Sequence, residues 1–82
     1  MKEKRPEILV IKIIQQFKTL RVSQGISHET LAKKTGVTRP AISHLENGKR
    51  KPSLLMSLRL AEALNTDLPD IIRSAEGTEQ AD

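Results

Sequence analysis

Cysteine, tryptophan and tyrosine are all absent, and the single aromatic residue among 82 is Phe17. Without a thiol the chain has neither a disulfide framework nor a thiolate metal site. With one ring, stability must come from aliphatic packing, and a single-strand or RNA platform built on stacked aromatics is ruled out. No apolar run approaches the roughly 18 residues that a membrane span needs. The opening MKEKRPE is basic but leads into no apolar stretch ending at a small-residue cleavage site, which argues against a secretory signal. There is no glycine-rich phosphate loop, no His/Cys metal spacing and no aspartate beside either histidine to build a nucleophile triad. What remains is one small cytoplasmic domain, expected to hold no metal or cofactor and to catalyse nothing. A chain of this length buries only about 60% of the surface its unfolded form exposes.

Charge is abundant but uneven. The net charge is +4. Between residues 33 and 51, Lys33, Lys34, Arg39, Lys49, Arg50 and Lys51 face one acid, Glu46. From residue 52 onward, Arg59 and Arg73 face Glu62, Asp67, Asp70, Glu76, Glu79 and Asp82. Scattered lysines would be an ordinary solvated face. An asymmetry this local in a small domain points to a polyanionic partner for one segment only.

Apolar residues recur at helical spacing between clear stops, so the class is all-α with about five short helices. Pro6 suits a first helical turn. Val10, Ile13, Ile14, Phe17 and Leu20 then recur at three- and four-residue intervals up to Gly25. The run ILVIKII is rich in β-branched residues and also admits a strand. Ser27 offers an N-cap for a second helix, which Gly36 ends. Thr38 caps a third, stopped by Gly48. Ser53 caps a fourth carrying Leu54, Leu58, Leu60, Ala61 and Leu64, with Asn65 at its end. Asp67 caps a short fifth with Leu68, Ile71 and Ile72. The expected core is Phe17, Leu20, Leu31, Ala32, Val37, Ile42, Leu45, Leu58, Ala61, Leu64 and Ile71. Residues 1–6 read as a flexible basic N-terminus, 7–76 as the domain, and 77–82 as a disordered acidic tail.

Residues 27–48, SHETLAKKTGVTRPAISHLENG, have the spacing of a helix-turn-helix: a capped helix, a glycine turn, a second capped helix. Projected as a helix, 38–48 divides cleanly. Ala41, Ile42 and Leu45 fall on one side, and Arg39, Pro40, Ser43, His44 and Asn47 on the other. An outward face that is polar and basic suits insertion into a major groove. There an Arg39 guanidinium could donate two parallel bonds to guanine, while Ser43 and His44 could donate or accept. Pro40 could make only apolar contact with a thymine methyl, or could simply start the helix. It also disfavours the α conformation at Arg39, which would move the helix start by one residue.

The order of cap, LA pair, glycine, VTRPAIS, LENGK and then PS, with a downstream LAEAL, resembles the phage-repressor/Cro (XRE) family over residues 13–73. The resemblance implies a lambda-repressor-like domain of five helices. Its third helix would read double-stranded DNA, as a dimer on a palindromic operator. Arg39, Pro40, Ser43 and His44 become candidate base contacts. His28, Thr38, Asn47, Lys49, Arg50 and Lys51 become candidate phosphate contacts, largely blind to sequence. Lys33 and Lys34 read as solvated surface. Arg21 and Glu46 match positions that often pair, tying the first helix to the third.

Departures from the family pattern are informative. Thr30 replaces the acidic or amide residue that would complete a capping box. Ser57 stands where the family often has an apolar residue, and Leu55 and Met56 where it is usually polar. Ile8 and Ile11 project far from the main stripe of the first helix. Exposed apolar residues of this kind suggest contact. Hence either Ile8/Ile11 or Leu55/Met56 is a candidate dimer interface, unless the N-terminus folds back and hides the isoleucines. The resulting expectation is a DNA-binding transcriptional regulator, a repressor. The alternative is a protein-interaction module, the antitoxin of a toxin–antitoxin pair that also binds its own operator.

Overall fold

The computed structural model describes residues 5–80. The first four residues of the basic N-terminal stretch and residues 81–82 of the acidic tail lie outside them. Five helices follow in order: α1 Arg5–Ser23, α2 His28–Thr35, α3 Arg39–Glu46, α4 Leu54–Ala63 and α5 Leu68–Gln80. Among the described residues there is no strand. The β-branched run that admitted one lies inside α1, whose Ile14 and Phe17 are buried. The helical stripe thus overrides local strand preference.

Each expected N-cap closes as its side chain dictates. Ser27, Thr38, Ser53 and Asp67 accept from the amides of Thr30, Ala41, Met56 and Asp70 at 3.1, 3.3, 3.0 and 2.9 Å. Thr30 does not restore the capping box; its hydroxyl instead accepts from Ser27 Oγ at 3.0 Å. Pro40 does not delay α3, which begins at Arg39 directly after its cap. At the second helical position its missing N–H is one of the amides the helix leaves unbonded, so the ring fits there without loss.

α3 ends where Gly48, at φ 75°, turns left-handed. The amide of Lys49 reaches back to His44 O at 2.9 Å and that of Gly48 to Leu45 O at 3.1 Å, closing the orphan carbonyls of the last turn. Asn65, at φ 60°, ends α4 the same way, with Thr66 N on Ala61 O at 2.9 Å. From the end of α1, Gln24 Nε2 donates to Leu64 O at 2.7 Å, joining two helix termini that are distant in sequence.

The core gathers Phe17, Leu31, Ala32, Ile42, Leu45, Leu60, Ala61, Leu64 and Ile71. Leu20 and Val37 pack against it half-buried. One correction concerns a side chain: Leu58, expected inside, is 49% exposed, and the buried leucine of that turn is Leu60. Met56 is half-buried and packs against the core. α5 continues through Gly77 to Gln80. Ala75 is wholly buried, and α5 packs along α1. Two buried hydroxyls are satisfied locally: Thr35 donates to Leu31 O at 2.8 Å and Ser57 to Ser53 O at 2.9 Å.

Candidate nucleic-acid interface

α2 and α3 are joined by a turn that lets α3 pack on the core by one face only. Gly36 adopts φ 78°, a conformation that costs a side-chain-bearing residue roughly 1–2 kcal/mol. Its amide and that of Val37 both donate to Ala32 O, at 2.9 and 3.1 Å. Ile42 and Leu45 are then buried and Ala41 half-buried. Arg39, Pro40, His44 and Asn47 are on the opposite side, as their spacing predicts, and all four are exposed. Ser43 is half-buried, and its hydroxyl accepts a long bond from Asn47 Nδ2 at 3.4 Å. It is the least available of the four expected base contacts.

The flanks of this face are cationic. Lys49, Arg50 and Lys51 are exposed. Among the described residues, neither they nor Arg39 take part in an ion pair. Lys33, in contrast, stands 3.9 Å from Glu29 on the surface of α2, in keeping with a solvated role. Arg50 and Lys51 border a cleft of about 380 Å³ that also takes in Thr38 and Ser53. The N-termini of α3 and α4 therefore open on the same cleft, where their unpaired amides and dipoles favour an anion. Thr38 Oγ1 accepts from Ala41 N, which leaves its hydroxyl proton free to donate. Ser53 lines this cleft as well as capping α4; in the sequence its only signal is the Pro-Ser after three consecutive cations.

Beneath the face lies a polar knot. Arg21 Nε donates to Glu46 Oε2 at 2.6 Å, and its Nη2 to Oε1 at 3.0 Å. The third guanidinium nitrogen, Nη1, donates to Ile26 O at 2.8 Å. His28 Nε2 lies 3.0 Å from Glu46 Oε1. The Arg21 and Glu46 side chains are only 13% and 6% exposed. Burial by itself would raise the Glu46 pKa. Hydrogen bonds from Arg21 and His28, together with the Arg21 charge, outweigh it and hold the carboxyl below its ordinary value. One carboxylate thus binds the end of α3 to α1 and to the first residue of α2. His28, expected on a phosphate, has one ring nitrogen committed here and one left over.

Residues 17–71 match the helix-turn-helix family. The chain belongs to that family. Among its helix-turn-helix relatives, an uncharacterized transcriptional regulator from Archaeoglobus fulgidus is 38% identical over 56 residues, covering 68% of this chain and 80% of the relative. YgzD of Bacillus subtilis, also an uncharacterized transcriptional regulator, is 37% identical over 56 residues, 68% of this chain and 85% of its own. The restriction-modification controller protein C.AhdI from Aeromonas hydrophila superposes with a TM-score of 0.68 at 36% identity, over 77% of this chain and 94% of that one. A point mutant of another restriction-modification controller protein, C.Esp1396I, superposes more extensively, with a TM-score of 0.80 over 90% and 97% of the two chains. At 23% identity it speaks for the fold. This helix-turn-helix protein is accordingly a transcriptional regulator with a DNA-binding domain. The first three turns of α1 and the end of α5 fall outside the family match.

Proposed function

We propose that this regulator is a repressor that reads a palindromic operator as a dimer, each copy inserting α3 into one major groove. One observation carries the reading: Arg39, Pro40 and His44 project together from an exposed face bordered by cations with no internal ion-pair partner among the described residues. Arg39 is the principal base reader, pairing with guanine O6 and N7. His44 reads one turn further on, Pro40 contacts a thymine methyl, and Ser43 contributes least. Thr38, Asn47, Lys49, Arg50 and Lys51 hold phosphates, with Ser53 and the free nitrogen of His28 beside them. Two copies are needed because one domain covers only a half-site, and the half-sites of such dimers lie about 34 Å apart. Occupying an operator that overlaps a promoter is sufficient for repression.

Selection of bound sites from randomised duplexes tests the reading and should return an inverted repeat. On that site, Arg39→Ala costs about 1–3 kcal/mol and relaxes one base-pair position, whereas Lys49→Ala weakens specific and random duplexes alike. Equal losses for both variants on both kinds of DNA would overturn the division of roles. A direct repeat would overturn the palindrome.

A further inference from the structure

His28, the first residue of α2, has its Nε2 3.0 Å from Glu46 Oε1. Arg21 Nη2 donates to that same oxygen at 3.0 Å, and Arg21 Nε to Oε2 at 2.6 Å. Burial opposes the charge on Glu46, but the bonds from Arg21 and His28 hold its carboxyl below the ordinary value, so at neutral pH it is ionised. A carboxylate has no hydrogen to give, and Nε2 must therefore carry the proton of the shared bond. A neutral ring then has its bare nitrogen at Nδ1, and no hydrogen bond among the described residues engages that atom. The His28 side chain is 29% exposed, against 13% for Arg21 and 6% for Glu46. It is the member of the polar knot that a ligand can reach.

A DNA phosphate, like the carboxylate, only accepts. The neutral ring has one N–H and cannot serve both. Turned to a phosphate through Nδ1–H, it would set a bare Nε2 against Glu46. The imidazolium, with an N–H at each position, donates to both at once. We propose that His28 binds a DNA phosphate as the imidazolium, bridging it to Glu46, so that each copy takes one proton from the buffer onto Nδ1 when it closes on a duplex and returns it on release. The surrounding charges make the phosphate the group that draws this proton. Glu46 faces the ring from α3, but Arg21 of α1 already neutralises that carboxylate. Glu29, next along α2, is exposed and stands 3.9 Å from Lys33. The positive end of α2 opposes a cation at its first residue. An arriving phosphate brings the uncompensated negative charge. The phosphate contact belongs to the preceding reading; the proton goes beyond it.

Phosphate contacts are blind to sequence, so a mixed-sequence duplex at low salt is a sufficient probe. Ring-nitrogen NMR of the wild-type chain near neutral pH should show one N–H and one bare nitrogen for free His28, and two N–H nitrogens on the duplex. Duplex affinity is then compared with that of His28→Gln between about pH 6 and pH 8, within the range where histidine changes charge. The Gln amide has two hydrogens and can donate to Glu46 and to a phosphate with no added proton. Both chains keep His44, so their ratio isolates His28. The wild type should lose severalfold relative to His28→Gln as pH rises, and no more than about tenfold per pH unit for each copy bound. Circular dichroism should report the same helicity for both, since Arg21 still holds Glu46 in the variant. A His28 ring that keeps its bare nitrogen on the duplex overturns the proposal while duplex binding stands. So does a ring already doubly protonated in the free chain, or an affinity ratio that does not move with pH. If neither chain binds a duplex at low salt, the operator reading itself is defeated, and the proton uptake with it.

Discussion

Removing one partner of the Arg21–Glu46 pair leaves the other charge in a site where water cannot replace the lost bonds. Glu46→Gln or Arg21→Met should therefore destabilise the fold by about 3 kcal/mol, read from urea unfolding at neutral pH. The same pair sets a pH dependence. The folded chain holds the Glu46 carboxyl below its ordinary value of 4.5, so the unfolded chain binds that proton more readily. The stabilisation is complete above the ordinary value and is lost as pH falls through the folded one. Stability of the wild type should thus decline more steeply than that of Glu46→Gln as pH falls below the ordinary carboxyl value. Parallel curves would show that the carboxylate contributes no proton linkage. The pairing was legible in the sequence only through the family resemblance, because periodicity cannot tell which charges on separate helices meet. The place of His28 was not legible at all, since it depends on the angle at which α2 leaves its turn.

Helix boundaries follow from chemistry within a few residues, and the caps at Ser27, Thr38, Ser53 and Asp67 were accordingly legible. Which stripe of a helix faces inward depends on its neighbours. In α4, Leu54/Leu58 and Leu60/Leu64 both satisfy the four-residue spacing, and the packing of α2 and α5 chose the second pair. α5 runs on through Gly77 to Gln80 although Gly77 and the polar residues after it favour fraying; Ala75, just before them, is buried against the rest of the molecule. Two glycine substitutions separate these local effects. Gly36→Ala meets only the Arg59 guanidinium at 4.0 Å, so the left-handed backbone alone determines its cost, about 1 kcal/mol. Gly77→Ala meets nothing within 4 Å in a backbone that is ordinary helix. It should stabilise by about 0.5–1 kcal/mol and raise Tm by a few degrees. No change in stability at Gly77→Ala would mean that the last turns of α5 do not form in solution.

At the scale of the whole molecule, the segregation of charge gives the protein two unlike ends. The basic segment spans α3 and the loop before α4, and the acidic surplus lies beyond it, at Asp67 and on α5. This was the most legible feature of the site, because counting charges needs no geometry; the joining of two helix N-termini in one cleft did need it. Each phosphate that the basic face neutralises releases condensed counterions, so log affinity should fall linearly with log salt, at about −0.9 per phosphate contact. Lys49→Ala should make that slope shallower by about 1 for each copy bound, hence about 2 for a dimer, with the preferred sequence unchanged. Arg39→Ala should relax that preference at one base pair while altering the slope less, because its contact is to a base. Asp70→Asn serves as the control. Its pair with Arg73 at 2.7 Å is exposed, worth at most about 1 kcal/mol, and it lies on the acidic helix. If the Asp70→Asn salt slope shifts as much as that of Lys49→Ala, DNA is responding to net charge alone. If it stays at the wild-type value while the Lys49→Ala slope flattens, the contact is local to the loop between α3 and α4.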